Sequence, residues 1–569
     1  MIKLRLCKTL PQQILLAILF GRLLFPEVAF ADNAVGKRFV IATVHPSASV
    51  AGQNAFQDGG NAIDAAIAAA LTLGVVDGHN SGLGGGCLIL IRRADGTLLA
   101  IDGRETAPAT ATRDMYVRDG VAVPTLSQDG ALAVGVPGAL AAYQMAMKSA
   151  AKLTIARHLN AAADIAEDGF AINRNFARNV TDHKSLIALF PEASRMLFKP
   201  DMSPYVEGEI LRLPDLAKSY RSMAKDEDWF YQGEYAEQVA GWMQDHGGLL
   251  TQEDFRRYQS IQREPIVSTY RGYQIIGFPP PTSGGILVAE ILNILENFDL
   301  ADLLQRRPAE AYHIIIEAMK LAFADRAKWI GDPNFTPVPR GLIDKAYAAE
   351  LAKRIQPTSV SKVDTNGMPP GWQTDIYPRH TTHIATADAE GNWVAITATI
   401  NTSFGSKLVI PGTGIFLNNT MDDFSALPGA PNSFGLVGGD ANAVEPLKRA
   451  LSSMSPTFVL KDGEPVFSVG AAGGPKIITQ VVMAIVHRID GNQTLVGALQ
   501  HPRLHHQWLP NKLVIEKSFD PGVRKELSGF GHDIVEMERV AVVQAIERTT
   551  EGDLIGVADP RVPGKAIGL

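Results

Sequence analysis

The sequence predicts a mixed α/β protein, and three features of the 569 residues support that prediction. Residues 61–76 are rich in alanine and almost wholly apolar, which is typical of a helix that is buried on most sides. Residues 153–351 show helical patterns separated by polar loops, whereas the chain after His380 alternates with the period of a β-strand. Because 46% of the residues are hydrophobic, the chain can bury a large core.

The first 31 residues predict a signal peptide. Three basic residues lie within the first eight, an apolar stretch follows at 14–25, and a small-x-small pattern stands at 29–31. The stretch is shorter than the roughly 20 residues that a membrane span needs. An uncleaved membrane anchor is the alternative, because Arg22 interrupts the apolar stretch and so weakens the apolar region of the predicted signal peptide. We expect cleavage before Asp32, no stable membrane anchor, and a periplasmic or secreted protein.

Charge and cysteine content argue against several classes of protein. A net charge of −7, without a long run of Arg or Lys, argues against a nucleic-acid partner or an anionic membrane. Cys7 lies in the predicted signal peptide, so Cys87 is the one thiol of the mature chain. We expect Cys87 to be a small, buried, apolar side chain.

A glycine cluster, Gly82 and Gly84 to Gly86, precedes residues 87–91, whose apolar run is typical of a buried strand. A phosphate-binding loop is the alternative interpretation. That loop needs Gly-Lys-Ser/Thr, or a strand before the glycines and a helix after them, and neither pattern is present. We therefore interpret the glycines as sites of close backbone packing.

The region around Thr381 joins a linker to a predicted hairpin. Residues 360–380 lack periodicity and are rich in Pro, Gly and polar residues, which indicates an exposed linker. The two strands that follow are joined by a three-residue turn at 389–391, which pairs residues whose numbers sum to 780. Thr381 then lies opposite Thr399, and Asn401 shares the strand face of Thr399 because side chains alternate with period two.

An isolated threonine in a strand is most often structural. Thr381 is a candidate for catalysis because of its position, where the predicted linker ends and the hairpin begins. Cleavage between His380 and Thr381 would free an α-amino group, whose reference pKa is about 7.7–8.0. Such an amine is a general base on the same residue as the hydroxyl nucleophile. The sequence therefore predicts an N-terminal-threonine hydrolase that is produced by cleavage at this bond.

Four further segments add groups that suit a catalytic site. They are Arg104 in residues 101–108, two adjacent acids in 418–424, a hydroxyl-rich turn at 451–456, and Gly473-Gly474 before Lys476. As an ordered series with Thr381-Thr-His383, 401–405 and 435–443, they resemble the signatures of γ-glutamyltransferases, also called glutathione hydrolases. The resemblance extends from about Gly36 to the C-terminus and includes 270–273, 293–298 and 505–508.

The resemblance implies a fold and a reaction. The fold is a four-layer αββα sandwich of the N-terminal-nucleophile class. Autocleavage would leave a large subunit, residues 32–380, and a small catalytic subunit, residues 381–569, which stay associated. The reaction is transfer of a γ-glutamyl group, from glutathione and related compounds, through an acyl-enzyme to water, an amino acid or a peptide. The family uses no cofactor and no metal.

The resemblance also implies roles for individual residues. Thr381 is the nucleophile, Thr399 hydrogen-bonds it, and the N–H groups of Gly473 and Gly474 form the oxyanion hole. The predicted substrate-binding residues are Arg104, Ser452 and Ser453 for the α-carboxylate, and Asp423, Asn401 and Thr420 for the α-ammonium. A purely structural ion pair between Arg104 and Glu105 or Asp102 is the alternative for that arginine.

Several positions depart from the family pattern. Thr420 replaces the usual Gln or Glu, Phe434 stands at a lid position that is Tyr in some bacterial members, and Ala471-Ala472 and Pro475-Lys476 flank the glycine pair. Residues 76–81 also differ from the usual segment. These departures leave the predicted nucleophile intact and leave the donor substrate open.

Two rival functions follow. A glutaryl-cephalosporin acylase on the same scaffold would keep Thr381 but bind a side chain without an α-ammonium. A catalytically idle binding protein is the second rival, although the intact Thr381, Thr399 and glycine pair argue against it. A zinc site at His501, His505 and His506 lacks a third-ligand pattern such as His-Glu-x-x-His, so we expect no metal there.

Overall fold

The computed structural model describes residues 31–369, 374–375 and 383–569. Two antiparallel sheets of seven strands each form its centre. In spatial order, the first sheet consists of Asp32–Gly36, Leu554–Ala558, Val542–Arg548, Glu464–Ala472, Thr457–Lys461, Tyr273–Gly277 and Ile266–Tyr270. The second sheet consists of Lys565–Gly568, Phe39–Thr43, His383–Asp388, Trp393–Thr399, Gly86–Arg92, Leu98–Gly103 and Ile261–Arg263.

Helices cover the outer face of each sheet. Those that pack with the second sheet and its extensions are Pro46–Gln57, Ala62–Val76, Ala139–Ala150, Ile155–Asp168, Arg174–Asp182, Lys184–Ile187, Pro191–Leu197, Pro214–Lys225, Glu234–Asp245 and Gln252–Arg257. Those on the side of the first sheet are Gly284–Leu295, Leu300–Arg306, Pro308–Trp329, Lys345–Ala352, Lys476–Ile489, Leu495–Gln500 and Pro521–Gly529.

Three layers of buried side chains separate the four layers of backbone. One joins the helices to Ile89 and Ile396 of the second sheet. A middle cluster contains Leu90 from the opposite face of that sheet together with Phe458 of the first sheet. The third cluster contains Phe467 of the first sheet and the second set of helices. Because strand side chains alternate between faces, this arrangement is the αββα sandwich that the resemblance implied.

Sequence signals explain the elements near the sheets. Asn61 caps the helix Ala62–Val76 and forms a capping box with Asp64, and every residue of this helix is buried, as predicted. The middle of the chain is mostly helical, as predicted, but it also contains the hairpin Ile266–Tyr270 and Tyr273–Gly277 and the shorter strands Phe170–Ala171, Ile210–Leu211, Ile261–Arg263 and Val338–Pro339. The two turn residues of the hairpin both have positive φ, the geometry of a tight hairpin turn.

The hairpin that follows the predicted cleavage site has the register derived from the sequence. His383 lies opposite Thr397 and Ala387 opposite Trp393, so the residue numbers of each pair sum to 780. Gly391 has a φ of +97° in the turn. Thr381 itself lies outside the described residues, so its predicted pairing with Thr399 stays a prediction.

The glycine cluster packs backbone against backbone, as predicted. A Cβ on Gly84 would lie 2.0 Å from the carbonyl oxygen of Phe416, and one on Gly85 would lie 1.9 Å from that of Thr399. The cluster thereby holds the end of the strand that carries Thr399. Cys87 is a buried thiol in the next strand, also as predicted.

The N-terminal prediction lies mainly outside the described residues, which begin at Ala31. Among the helices within the described ranges, none has both the length and the apolar character that a membrane crossing requires.

Candidate active site

A cavity of about 500 Å³ lies at the carboxyl ends of two strands, Trp393–Thr399 of the second sheet and Glu464–Ala472 of the first. These strands face each other across the sandwich. Seven of the predicted site residues line the cavity: Thr399, Asn401, Asp423, Ser452, Ser453, Gly473 and Gly474. Two more, Arg104 and Thr420, lie directly behind this lining. His380 and Thr381 are outside the described residues.

Thr399 and Asn401 are held in a sharp bend at the end of their strand. Asn401 has a φ of +80°, and its backbone N–H donates to Thr399 Oγ1 at 2.8 Å. The Asn401 side-chain nitrogen donates to the carbonyl of Asn419 at 3.0 Å. The bend turns both side chains away from the sheet and towards the cavity.

Gly473 and Gly474 form a second bend on the opposite wall. Their φ angles are +140° and +60°, and a Cβ on Gly474 would lie 2.8 Å from the ring of Phe434. Glycine is therefore required here by conformation and by space. The helix Lys476–Ile489 begins two residues later and has no side-chain cap at its N-terminus. The Ile477 N–H in its first turn donates to the Gly474 carbonyl at 3.1 Å, and the start of the helix places a positive dipole end beside the cavity.

Arg104 is wholly buried and joins two acids. Nη1 donates to Glu105 Oε2 at 2.8 Å, and Nη2 donates to Asp423 Oδ2 at 2.7 Å. The ion pair with Glu105, predicted as the alternative for this arginine, is present. Asp102 pairs instead with Arg263 and accepts from the Arg104 backbone N–H. Since Asp423 lines the cavity and Arg104 lies behind it, the arginine is linked to the cavity through that acid.

Thr420 belongs to the same buried network. Its hydroxyl donates to Glu105 Oε1 at 2.8 Å and accepts from Arg104 Nη1 at 3.2 Å. In front of this network, Ser452 has a buried Oγ without a hydrogen-bond partner among the described residues, and the same is true of Arg104 Nε. Two donors next to one cavity thus lack acceptors, which is unusual for buried polar groups.

A third wall, missed in the sequence except as a departure from the family pattern, consists of Asp77, His79 and Asn80. Asn80 Nδ2 donates to Asp77 Oδ1 at 3.1 Å, and His79 Nε2 lies 3.5 Å from the same oxygen. Burial raises the pKa of Asp77 to about 7. Burial, together with the positive charge of Arg539, lowers the pKa of His79 to about 3. Both groups are therefore neutral in mildly acidic solution.

The cavity also has amide and cationic walls, which no sequence pattern predicted as a group. The amides are Asn173, Asn175 and Asn179, and the cations are Lys476 and Arg539. They come from segments that are far apart in sequence, so only the fold brings them together.

The three histidines of the zinc alternative are engaged in hydrogen bonds. His505 bonds Thr479 and Gln507, His506 Nδ1 accepts from the Trp508 N–H, and His501 is close to Tyr312.

Another group within the described chain, His313, Glu317 and His532, lies close enough together to hold a metal ion. The two histidines are hydrogen-bonded to each other at 2.7 Å, and Glu317 is paired with Lys320 at 2.8 Å. Hydrogen bonds and an ion pair therefore account for this group without a metal.

Comparison with known proteins identifies the family. The model of the family described as gamma-glutamyltranspeptidase matches residues 48–569. The chain belongs to the γ-glutamyltranspeptidase family. Its members are enzymes. The chain is 42% identical to a glutathione hydrolase proenzyme of Escherichia coli strain K12, across 92% of this chain and 90% of that protein. It is also 37% identical to an acylase ACY 1 proenzyme of Pseudomonas sp. strain SE83, across 94% of both chains.

Solved structures give the same fold for this γ-glutamyltranspeptidase family member. A cephalosporin acylase from Bacillus halodurans superposes with a TM-score of 0.86 at 29% identity, covering 96% of this chain and 98% of that one. A Helicobacter pylori gamma-glutamyltranspeptidase chain superposes with a TM-score of 0.55 at 38% identity, covering 56% of this chain and 92% of that one. The fold is therefore that of the N-terminal-nucleophile hydrolases.

Proposed function

We propose that this chain is a self-cleaving proenzyme that hydrolyses or transfers the γ-glutamyl group of glutathione and related amides, with Thr381 as nucleophile. The observation that carries the proposal is a single cavity with three kinds of group on its walls. Thr399 and the Gly473-Gly474 bend suit acyl transfer, and Asp423 in front of Arg104 suits a zwitterionic head group.

Maturation is the first proposed step. The Thr381 hydroxyl attacks the carbonyl carbon of His380, and the peptide bond becomes an ester as the Thr381 nitrogen leaves and takes up a proton. Water then hydrolyses the ester, which yields a new carboxyl group at His380 and a free α-amino group on Thr381. Residues 32–380 and 381–569 would remain together, because strands from both are interleaved in each sheet.

Acyl transfer uses the same hydroxyl. The α-amine of Thr381 accepts the hydroxyl proton as the oxygen attacks the γ-carbonyl carbon, and the amine later delivers that proton to the leaving nitrogen. The N–H groups of Gly473 and Gly474 would stabilise the tetrahedral oxyanion, aided by the dipole of the helix Lys476–Ile489. Water, or the amine of an amino acid or peptide, then attacks the ester and releases the γ-glutamyl group.

The charges behind the cavity favour a γ-glutamyl head. Two carboxylates, Glu105 and Asp423, face Arg104, and the buried guanidinium of Arg326 also acts on Asp423, so each charge behind the cavity already meets an opposite one. A glutamyl head brings an α-ammonium for Asp423 and Asn401, and an α-carboxylate for Arg104 Nε and the hydroxyls of Ser452 and Ser453. It adds no net charge, whereas a glutaryl head would add one negative charge.

The second candidate is an acylase that accepts glutaryl side chains. The observation in its favour is Thr420, whose hydroxyl is already bonded to Glu105 and Arg104 and does not line the cavity. An α-ammonium would then have fewer acceptors than a Gln or Glu at this position would offer. The acylase names among the relatives make this candidate worth testing directly.

Mass spectrometry and two substrates test the proposal. We expect the purified protein to contain two chains, one of them beginning at Thr381, and to hydrolyse γ-glutamyl-4-nitroanilide faster than glutaryl-4-nitroanilide. Thr381→Ala should remain one inactive chain, Thr381→Ser should retain part of both activities, and Thr550→Ala at an exposed turn should behave as wild type. Normal two-chain processing in Thr381→Ala would refute the assignment of Thr381 as the nucleophile. A preference for the glutaryl anilide would favour the acylase. A peptide that begins at Asp32, found in exported protein, would support a periplasmic or secreted location.

A further inference from the structure

The turn that carries Ser452 is held from behind by a neighbouring loop. The Ser283 N–H donates to the Ser452 carbonyl at 3.1 Å, and the Ser283 hydroxyl donates to the same oxygen. Thr282 Oγ1 donates to the Met454 carbonyl at 2.8 Å, and a Cβ on Gly284 would lie 1.9 Å from that carbonyl oxygen. Backbone packs directly on backbone here, so the position of the serine turn depends on this loop.

A buried arginine stands behind the loop. Arg326 lies in the last turn of the helix Pro308–Trp329 and donates from Nε to Ser283 Oγ at 3.0 Å. Because a guanidinium can only donate and a carbonyl can only accept, the Ser283 hydroxyl relays the contact from Arg326 to Ser452. A hydroxyl that accepts from a cation is polarised and becomes a better donor, since hydrogen bonds in a chain reinforce one another.

The charge of Arg326 also reaches the other wall of the head-group site. Burial lowers the pKa of Arg326 to about 10, and the negative charge of Asp423 opposes that shift. The guanidinium is therefore charged at neutral pH. Arg326 and Arg104 together then match the two carboxylates behind the cavity. A head group with one ammonium and one carboxylate preserves that balance of charge.

We propose that Arg326 is a positioning residue for the acyl head group, which orients the Ser452 turn through Ser283 and balances the charge of Asp423. This inference rests on the proposed binding of a γ-glutamyl head at this end of the cavity. Without the Arg326 guanidinium, the network would carry an excess negative charge and the serine turn would lose a support. Both changes weaken binding of the α-carboxylate more than binding of the α-ammonium.

Two anilides with one charge each separate this role from a general structural one. Glutaryl-4-nitroanilide keeps the carboxylate of the γ-glutamyl head, and 4-aminobutyryl-4-nitroanilide keeps the ammonium. In Arg326→Gln, the ratio of kcat/KM for the glutaryl substrate to that for the 4-aminobutyryl substrate should fall about tenfold, the effect of one charge-assisted contact. For γ-glutamyl-4-nitroanilide, KM should rise about tenfold while kcat changes by less than about threefold, because Arg326 acts on binding and not on the reacting atoms.

Three further variants act as controls. Arg326→Lys keeps the charge and should keep most of the ratio. Lys328→Gln removes an exposed cation from the same helix turn and should leave all three substrates unchanged, which excludes an effect of the helix dipole. Ser283→Ala removes the relay with a smaller change to the core, and it should lower the same ratio about fivefold through loss of one hydrogen bond. Mass spectrometry shows whether each variant has matured into two chains.

Equal losses on the two singly charged substrates in matured Arg326→Gln would overturn the inference. If Arg326→Gln does not fold, an unchanged ratio in Ser283→Ala would do the same. Calorimetric titration with L-glutamate measures head-group binding without turnover, and its Kd should rise about tenfold in Arg326→Gln. If wild type hydrolyses none of the anilides but this rise in Kd is found, the proposed reaction is wrong and the head-group role of Arg326 stands.

Discussion

At one end of the cavity Arg104 meets two carboxylates before any substrate is present, whereas at the other end Lys476 and Arg539 form no salt bridge within the described chain. The first end is completely buried and each of its charged groups has a partner. The second is partly exposed, and Arg539 there lies beside the Asn175 amide and within reach of the charges of Arg178 and Asp559.

The difference indicates how each end would select its ligand. The paired end can admit a zwitterion, because ammonium and carboxylate can each meet an opposite charge without changing the total. The unpaired end attracts any anion of suitable size, so its selectivity is coarser and depends more on ionic strength. We therefore expect strict specificity for the acyl head and broader tolerance for the leaving amine.

The largest effect at the paired end is expected for Asp423→Asn. The change removes the anion for the α-ammonium and leaves Arg104 with one carboxylate, so kcat/KM for γ-glutamyl-4-nitroanilide should fall by about 100-fold or more, from the roughly 2–5 kcal/mol of a truncated buried charge pair. Glutaryl-4-nitroanilide should lose less, because its head has no ammonium. Steady-state kinetics on both anilides measure the difference.

The control for this prediction is Asp440→Asn, at an exposed ion pair with Arg113, which should leave both substrates unchanged. Equal losses of kcat/KM on the γ-glutamyl and glutaryl substrates in Asp423→Asn would mean that Asp423 supports the structure and does not bind the α-ammonium.

Gly474→Ala tests the bend that separates the two ends. A Cβ there would meet the Phe434 ring at 2.8 Å in a backbone conformation with φ of +60°, so the bend should shift and the oxyanion donors with it. Loss of one such donor lowers kcat about 10²–10³-fold. We expect a fall in kcat of about 100-fold, with a smaller change in KM, and partial recovery in Gly474→Ala combined with Phe434→Ala.

Gly529→Ala is the matched control for that variant, because nothing lies within 4 Å of a Cβ at Gly529. A normal kcat in matured Gly474→Ala would remove the glycine pair from the catalytic assignment.

The hairpin register could be derived from the sequence because it is local: a short turn and a period of two determine which residues pair. The four-layer order and seven residues of the cavity lining came from a resemblance, carried by an ordered series of motifs. Of the two acidic partners of Arg104, only Glu105 was predicted from the sequence. Glu105 is adjacent in sequence, whereas Asp423 reaches the arginine from a segment more than 300 residues away.

The cationic end could not be predicted from local sequence patterns or from the family resemblance. Lys476 was visible only as a departure from a pattern, and Arg539 had no motif around it. Whether a charge is paired depends on the loops that pack beside it, and long-range packing of loops leaves no periodic signal in the sequence. The network around Thr420 was not predicted for the same reason, because the Thr420 hydroxyl is bonded to Glu105 and does not line the cavity.

Thr420→Val tests whether the paired end depends on its hydrogen bonds as well as its charges. Valine keeps the shape but removes the bond to Glu105 at 2.8 Å, a change of about 1 kcal/mol. We expect kcat/KM for γ-glutamyl-4-nitroanilide to fall about fivefold. Thr550→Val, at an exposed turn, is the control. An unchanged kcat/KM in Thr420→Val would show that the charges alone hold the head group.

The smallest effect is expected at Asp77, where it concerns stability and depends on pH. Burial raises the pKa of Asp77 from 3.8 to about 7, while His79, 3.5 Å away, stays neutral in this range. Between about pH 4 and pH 7 the folded protein therefore holds a proton that the unfolded chain has lost. The stabilisation from this group is complete below pH 3.8, falls as the pH rises, and is gone once the pH has passed through 7. Asp77→Asn cannot ionise, so its melting temperature should gain on wild type between about pH 4 and pH 7 and keep a constant lead above that range. Thermal unfolding of both proteins across this range measures the difference, and parallel pH profiles would show that Asp77 is already ionised in the folded protein.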